Sequence, residues 1–188
     1  MATLLQVAQL GNSILRQTAQ AIAIGGSETI APVDAAQLET LIEDMLATLQ
    51  ESKGVGLAAP QVSASLRLLI VASHPNARYP QAPWMEPTVM INPRILAHSQ
   101  ETLTDWEGCL SIPGIRGLVP RYREVEVEYT DLEGKCQKPV LTDFVARIFQ
   151  HEFDHLEGIV FLDRVESTQD LMTEQEYQQR VVAVSRNC

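Results

Sequence analysis

The sequence predicts an α+β fold in which antiparallel β-strands pack around a central helix. Short β-type runs follow one amphipathic helix and precede another, instead of alternating with helices as in a parallel α/β fold. Two late runs are joined by a short turn, which is typical of an antiparallel hairpin. The 188 residues are 45% hydrophobic and contain no Gly/Ser-rich linker. We therefore expect residues 1–188 to form a single domain.

The first helix has the most regular pattern in the chain. Residues up to about Thr29 are weakly patterned, and we expect them to wrap the surface. Asp34 then precedes a run with apolar side chains at helical spacing, and Gly54 lies just beyond it. This pattern predicts a helix at about 34–51 with Asp34 as its N-cap. Its apolar stripe consists of Leu38, Leu41, Ile42, Met45, Leu46 and Leu49.

The strand predictions rest on β-branched runs and on alternation. Short strands are predicted at 66–72, 88–92 and 95–103, with the proline-rich stretch 74–87 as a loop. Three glutamates, at positions 124, 126 and 128, alternate with apolar residues, which predicts a strand with one solvent-facing side. A turn at 131–135 leads into a partner strand at 136–141.

The second helix is expected to begin after Thr142 or Asp143 and to end near Gly158. A further short strand is predicted at 159–162. Residues 166–188 are polar, and we expect a peripheral helix or a tail there.

Charge and composition exclude several classes of partner. Asp and Glu total 24 against 14 Lys and Arg, so the net charge of -10 repels phosphate backbones and direct nucleic-acid binding is not expected. No apolar run reaches the ~18 residues of a membrane span. Three cysteines are too few for a disulfide framework, which indicates a reducing compartment. We expect a cytoplasmic protein.

The strongest chemical signal is the pattern H-E-x-x-H within the second predicted helix. His151 and His155 are four residues apart, so both rings lie on one face and can bind one metal ion. Glu152 lies about 100° around the helix, where it reaches a water on that ion without binding the ion itself.

A catalytic site of this kind needs a third protein ligand. Astacin- or matrixin-like proteases place a histidine where this chain has Phe161, so that class is excluded. A thermolysin-like enzyme would use a downstream glutamate, and the candidates are Glu174 and Glu176. The other candidate is Cys109, whose thiolate would complete a Cys/His/His set.

Three segments resemble the three motifs of the peptide deformylase family. Residues 54–61 read G-V-G-L-A-A-P-Q, residues 107–111 read E-G-C-L-S and residues 150–158 read Q-H-E-F-D-H-L-E-G. They follow the family's order, and the similarity extends from about residue 10 to residue 163. One departure is Ser13, where relatives commonly have proline.

The resemblance implies an enzyme that removes the N-formyl group from the N-terminal formylmethionine of nascent peptides and releases formate. One divalent ion is implied, usually Fe²⁺, with Zn²⁺, Ni²⁺ or Co²⁺ able to replace it. Transient contact with the ribosome is part of the same expectation. The implied roles are metal binding for Cys109, His151 and His155, general acid/base catalysis for Glu152, and oxyanion stabilisation for Gln61 and the backbone N–H of Leu110.

The sequence signals for substrate contacts are less specific than those for the metal ligands. Ile148 lies on the helical face of His151, where it would line a methionine pocket or serve as an ordinary core residue. Arg116 and Arg121 are interpreted as solvated surface residues. The backbone of Gly54, Val55, Gly56 and Gly108 is expected to lie beside the peptide, although a simple turn would also explain the glycines.

Two rival hypotheses stay open. One is a different metallopeptidase with a downstream glutamate as ligand. The other is a non-catalytic fold whose Cys/His/His site is structural, although such a site would have no use for Glu152 or Gln61.

Overall fold

Two antiparallel sheets and two long helices form the framework of the molecule. The computed structural model describes residues 2–23, 34–75 and 82–183. In this part of the chain the helices are Ala35–Ser52 (α1), Asp143–Leu156 (α2) and the short Glu174–Tyr177 (α3). The strands are Gly56–Ala58 (β1), Leu68–Ser73 (β2), Met85–His98 (β3), Thr102–Cys109 (β4), Ile112–Tyr122 (β5), Glu124–Thr130 (β6), Cys136–Gln137 (β7), Val140–Thr142 (β8) and Leu171–Thr173 (β9).

The larger sheet has the strand order β1-β2-β3-β6-β7, and β8 also pairs with β6. The smaller sheet has the order β4-β5-β9. All of these strand pairs are antiparallel. This arrangement confirms the predicted α+β class.

Strand β2 lies between the two long helices. Every residue of β2 is buried, and successive side chains of a strand point to opposite faces. Leu69 and Val71 pack in the cluster that contains Phe149 of α2, whereas Leu68 and Ile70 pack in the cluster that contains α1. Helix α2 also contacts β5 of the smaller sheet. It is therefore the central helix that the sequence predicts.

The two long helices begin and end close to their predicted positions. Asp34 caps α1 by accepting a hydrogen bond from the backbone N–H of Ala36. The left-handed residue that ends α1 is Lys53, with φ 51°, and not Gly54. At the start of α2, Thr142 occupies the N-cap position, but its side chain makes no capping hydrogen bond. Gly158 follows α2 with φ 72°, as a residue just past a helix C-terminus often does.

The prediction of separate strands at 88–92 and 95–103 is wrong, and the predicted loop at 74–87 ends earlier, since residues 85–87 belong to a strand. One continuous strand, β3, runs through this region. Within it, Asn92 adopts φ 51° and the register shifts between Ile91 and Arg94. This irregularity accommodates Pro93, which would otherwise interrupt a strand. Residues 76–81 of the predicted loop lie outside the described part of the chain.

The sequence does not predict strand β5, because this strand contains two prolines and two glycines, residue types that are depleted in strands. The predicted strand at 159–162 is also wrong, since Phe161–Arg164 form a 3₁₀ turn. Strand β6 is confirmed, with Val125 and Val127 buried, Glu124 and Glu126 exposed and Glu128 partly buried. Its predicted partner strand is divided into β7 and β8.

Both ends of the described chain pack against the framework. Residues 2–23 are irregular apart from the 3₁₀ turn Ser13–Arg16, yet Leu15 and Ile22 are buried. Near the other end, β9 pairs with β5 and α3 continues into a π-helical turn at Gln178–Val182. The predicted tail is therefore docked as far as residue 183. Among the helices of the described residues, none is long and apolar enough to span a membrane.

Candidate active site

A thiol and two imidazoles converge where the end of β4 meets α2. Cys109 Sγ lies 3.3 Å from His155 Nε2, and the ring centroids of His151 and His155 are 5.3 Å apart. Ligand atoms of the three side chains all lie within 4.8 Å of one another. His155 is fully buried, and burial lowers its pKa, which favours the neutral ring that a metal ligand requires.

This donor set fits a divalent cation. Ligands placed tetrahedrally at about 2.0–2.3 Å from one ion are themselves about 3.3–3.8 Å apart, close to the observed thiol–imidazole distance. Three protein ligands leave one coordination position for water or substrate. Glu174 and Glu176, the alternative third ligands, instead form ion pairs with Arg116 and Arg180. The geometry therefore favours Cys109 over a downstream glutamate.

Glu107 holds one of the imidazoles in place. Its Oε2 lies 2.8 Å from His151 Nδ1, so the other ring nitrogen is left for a metal. Its carboxylate also accepts hydrogen bonds from Arg121 and from Arg147. Burial alone would raise the pKa of Glu107, but the charge of Arg121 and hydrogen bonds from His151 and Arg121 hold it below its usual range.

The interpretation of Arg116 and Arg121 as solvated residues is wrong. Both are buried, and Arg121 bridges Glu107 to Asp154 with N–O distances of 2.9 and 2.6 Å. The sequence carried an indirect signal, because Glu107 and Asp154 lie in the same two motifs as Cys109 and the two histidines. Carboxylates buried beside a metal site need cationic partners. The sequence does not show which arginines are these cationic partners, because that depends on long-range contacts.

Arg121→Ala should destabilise the protein by about 3–5 kcal/mol, because it leaves two buried carboxylates without their shared partner. The neighbouring Arg123 is a matched control, since its ion pairs with Glu101 and Asp143 are exposed. Arg123→Ala should cost about 0–1 kcal/mol. Urea unfolding of the two variants measures this difference. Equal destabilisation would contradict the structural role given to Arg121.

Glu152 is a buried carboxyl beside the cluster of Cys109, His151 and His155. Burial raises its pKa to about 7. Its Oε2 has no hydrogen-bond partner among the described residues. A Cβ atom built on Gly56 would lie 2.4 Å from Glu152 Oε1, so a glycine at this position makes room for the carboxyl. The arrangement leaves Glu152 able to exchange a proton with a molecule in the site.

Gln61 presents its amide nitrogen to the same cluster. The backbone N–H of Ala58 donates a 2.8 Å hydrogen bond to Oε1 and thereby fixes the orientation of the amide. The Nε2 atom lies 3.4 Å from Cys109 Sγ and 3.3 Å from Ser111 Oγ. Ser111 was not singled out by the sequence, although it belongs to the same motif as Cys109.

A cavity of about 270 Å³ opens beside the cluster. Glu107, Trp106 and Arg147 contribute to its wall, as does Glu174. His155 is not among the lining residues. The cavity is also lined by the predicted site residues Gly54, Val55, Gly56, Gln61, Gly108, Cys109, Leu110, Ile148, His151 and Glu152.

Some of these lining residues also have structural roles. Ile148 belongs to the main hydrophobic cluster, so both interpretations of this side chain have support. A Cβ on Gly54 would approach Leu49 to 2.9 Å, and one on Gly108 would approach Arg116 Nη1 to 2.7 Å. Close packing therefore accounts for these two glycines without a peptide.

Comparison with known proteins identifies the family. Residues 4–170 match the model of the polypeptide deformylase family. Peptide deformylase 2 of Nostoc sp. is 57% identical over 178 residues, which cover 95% of each chain. Peptide deformylase 2 of Shewanella oneidensis is 45% identical over 92% of this chain and 90% of its own length.

Comparison with solved structures gives the same family. A class I type b peptide deformylase from Acinetobacter baumannii with Met-Ala-Ser bound superposes with a TM-score of 0.81. It is 45% identical, and the match covers 88% of this chain and all of the other. With the fold, the three motifs and the site geometry in agreement, the chain belongs to the polypeptide deformylase family, the enzymes that remove the N-formyl group from nascent peptides.

Proposed function

We propose that this chain deformylates nascent peptides with one divalent cation held by Cys109, His151 and His155. The observation that carries the proposal is the convergence of two buried imidazoles and the partly buried Cys109 thiol beside a cavity that Glu152 also lines. A structural metal site would have no use for a carboxyl oxygen without a partner or for an oriented amide nitrogen.

The resident ion is proposed to be ferrous iron, which is what the resemblance to the family implies, because the donor set alone does not distinguish iron from zinc. One thiolate and two imidazoles suit Fe²⁺ and Zn²⁺, and the same donors accept Ni²⁺ or Co²⁺. When bound, such an ion supplies Lewis acidity, which acidifies water and polarises a carbonyl group.

Glu152 is proposed as the group that moves the proton. Hydrolysis adds water to the formyl carbon and breaks the bond from that carbon to nitrogen, giving formate and a free amine. Glu152 accepts the proton of the attacking water and donates it to the departing nitrogen. Its burial favours this task, because a raised pKa lets one carboxyl both accept and release a proton near neutral pH.

Gln61 and the backbone N–H of Leu110 are proposed to stabilise the negative charge that develops on the formyl oxygen. The Gln61 amide is fixed before substrate arrives, since Ala58 holds its oxygen. Leu110 lies in the two-residue turn between β4 and β5, directly after Cys109. Donors that are already oriented need no reorganisation as charge develops.

Gln61→Ala should lower kcat for formate release from formyl-Met-Ala-Ser by about 10²–10³-fold, the usual cost of losing one oxyanion donor. Substitution of the exposed Gln17 by alanine serves as the control and should leave the rate unchanged. The metal-loaded wild-type protein should release formate from the formylated peptide. Failure to do so would overturn the proposed function, and full activity of Gln61→Ala would overturn the role of that residue alone.

The peptide is proposed to lie along β1. This strand is at the edge of the larger sheet and borders the cavity through Gly56, so its free edge can pair with an extended peptide. Val55, Gly54 and Gly108 would then flank the peptide backbone, and Ile148 would contact the methionine side chain. The Acinetobacter baumannii relative with Met-Ala-Ser bound supports a peptide ligand.

We further propose that residues 1–188 act as a single catalytic domain in the cytoplasm, where nascent peptides are made. The cavity supports one domain because it draws on residues from Lys53 to Glu174. A reducing cytoplasm would keep the Cys109 thiol available to the metal. Transient contact with the ribosome stays a prediction.

A further inference from the structure

The last part of the described chain contributes to the cavity wall. We call residues 168–183 the C-terminal segment. The match to the family model ends at residue 170, before most of this segment. Strand β9 pairs with β5, with Thr173 opposite Ile115, and α3 starts directly afterwards. This pairing places Glu174 among the residues that line the cavity.

Glu174 pairs with a buried arginine of the smaller sheet. Arg116 Nε lies 2.5 Å from Glu174 Oε2, and Arg116 Nη2 lies 3.3 Å from Oε1. The side chain of Arg116 is 4% exposed, whereas that of Glu174 is 37% exposed. Both residues line the cavity, and the acid is the more exposed member of the pair.

Aromatic contacts hold the pair against the wall. The guanidinium carbon of Arg116 lies 5.0 Å from the ring centroid of Tyr177, which is itself buried. Tyr177 packs edge-on against Trp106, another cavity residue, with ring centroids 5.7 Å apart. On its other side Arg116 lies so close to Gly108 that any side chain there would meet it. Glu174 is thus fixed in a position that depends on the docking of the C-terminal segment.

We propose that Glu174 determines which charges the enzyme accepts after the methionine of its substrate. Its carboxylate neutralises Arg116, and its partly exposed oxygens place negative charge at the cavity wall. This negative charge disfavours acidic residues in the downstream part of the peptide. Removal of this carboxylate takes one negative charge away from Arg116, so acidic residues in the peptide should be less disfavoured. This inference rests on the proposed use of the cavity as the peptide site.

The test compares Glu174→Gln with Glu176→Gln. Both variants remove one negative charge from α3, but Glu176 pairs with the exposed Arg180 and does not line the cavity. Substrates are formyl-Met peptides with Lys, Gln or Glu at the second or the third position. Glu174→Gln should lower the ratio of kcat/KM for the Lys peptide to that for the Glu peptide by about three- to tenfold. Glu176→Gln should leave this ratio unchanged.

The neutral Gln peptides distinguish a change in charge selectivity from a general loss of activity that loosened packing would cause. A structural defect would change kcat/KM for all peptides by the same factor and leave the ratio constant. A ratio that shifts no more in Glu174→Gln than in Glu176→Gln, at both peptide positions, would overturn the inference. If wild type cleaves none of the peptides, the proposed function itself fails, and the two outcomes are therefore distinguishable.

Discussion

Glu152→Gln should slow formate release by about 10²–10⁴-fold while the protein keeps its metal. The substitution preserves the size of the side chain and removes its capacity to take a proton. Because Glu152 is not among the three clustered donors, the metal content should stay at the wild-type level. The measurements are steady-state formate release and metal content per chain, made on the same preparation.

Glu157→Gln provides the matched control for this variant. Glu157 lies just past the end of α2, where its carboxylate pairs with Arg67 outside the cavity. Its substitution removes an identical charge near the same helix, and activity should be retained. Wild-type turnover in Glu152→Gln would refute the proton-transfer role, since Glu152 has the one buried carboxyl oxygen among the described residues that lacks a hydrogen-bond partner.

Cys109→Ala should lose both metal and activity. The thiolate is one of only three protein donors in the described cluster, so two imidazoles would have to hold the ion alone. Removal of a residue that only hydrogen-bonds to a metal-ligating side chain lowers metal affinity by about 10–100-fold. The loss of metal affinity in Cys109→Ala should be larger. Metal content after dialysis against a weak chelator measures the effect.

Cys136→Ala is the control for the cysteine substitution. Cys136 is exposed on β7 and takes no part in the cluster. This variant should bind metal and deformylate peptides as wild type does. Retention of metal by Cys109→Ala would favour a site with another third ligand, such as the downstream glutamate of the rival hypothesis.

Sequence reasoning predicted the features that depend on local spacing. The helical stripe of α1 and the alternation along β6 each lie within one short segment. The histidine pair is equally local, because four residues make one turn of α2. These patterns express the geometry of a single helix or strand, so they can be recognised before the rest of the fold is known.

The features that the sequence did not predict depend on long-range contacts. Arg121 looks like a surface residue until Glu107 and Asp154 are brought around it. Strand β5 forms despite its prolines because β4 pairs along its length. The C-terminal segment has little apolar periodicity of its own, and its position depends on β5 and on the contact of Tyr177 with Trp106.

X-ray absorption spectroscopy of protein purified without oxygen identifies the resident ion and the atoms that coordinate it. We expect about one iron per chain, coordinated by one sulfur, two imidazole nitrogens and an exchangeable oxygen ligand. The sulfur contribution should disappear in Cys109→Ala. A spectrum of the wild-type protein without sulfur, or a metal whose coordination positions are all filled by protein, would refute a catalytic metal site built on Cys109, His151 and His155.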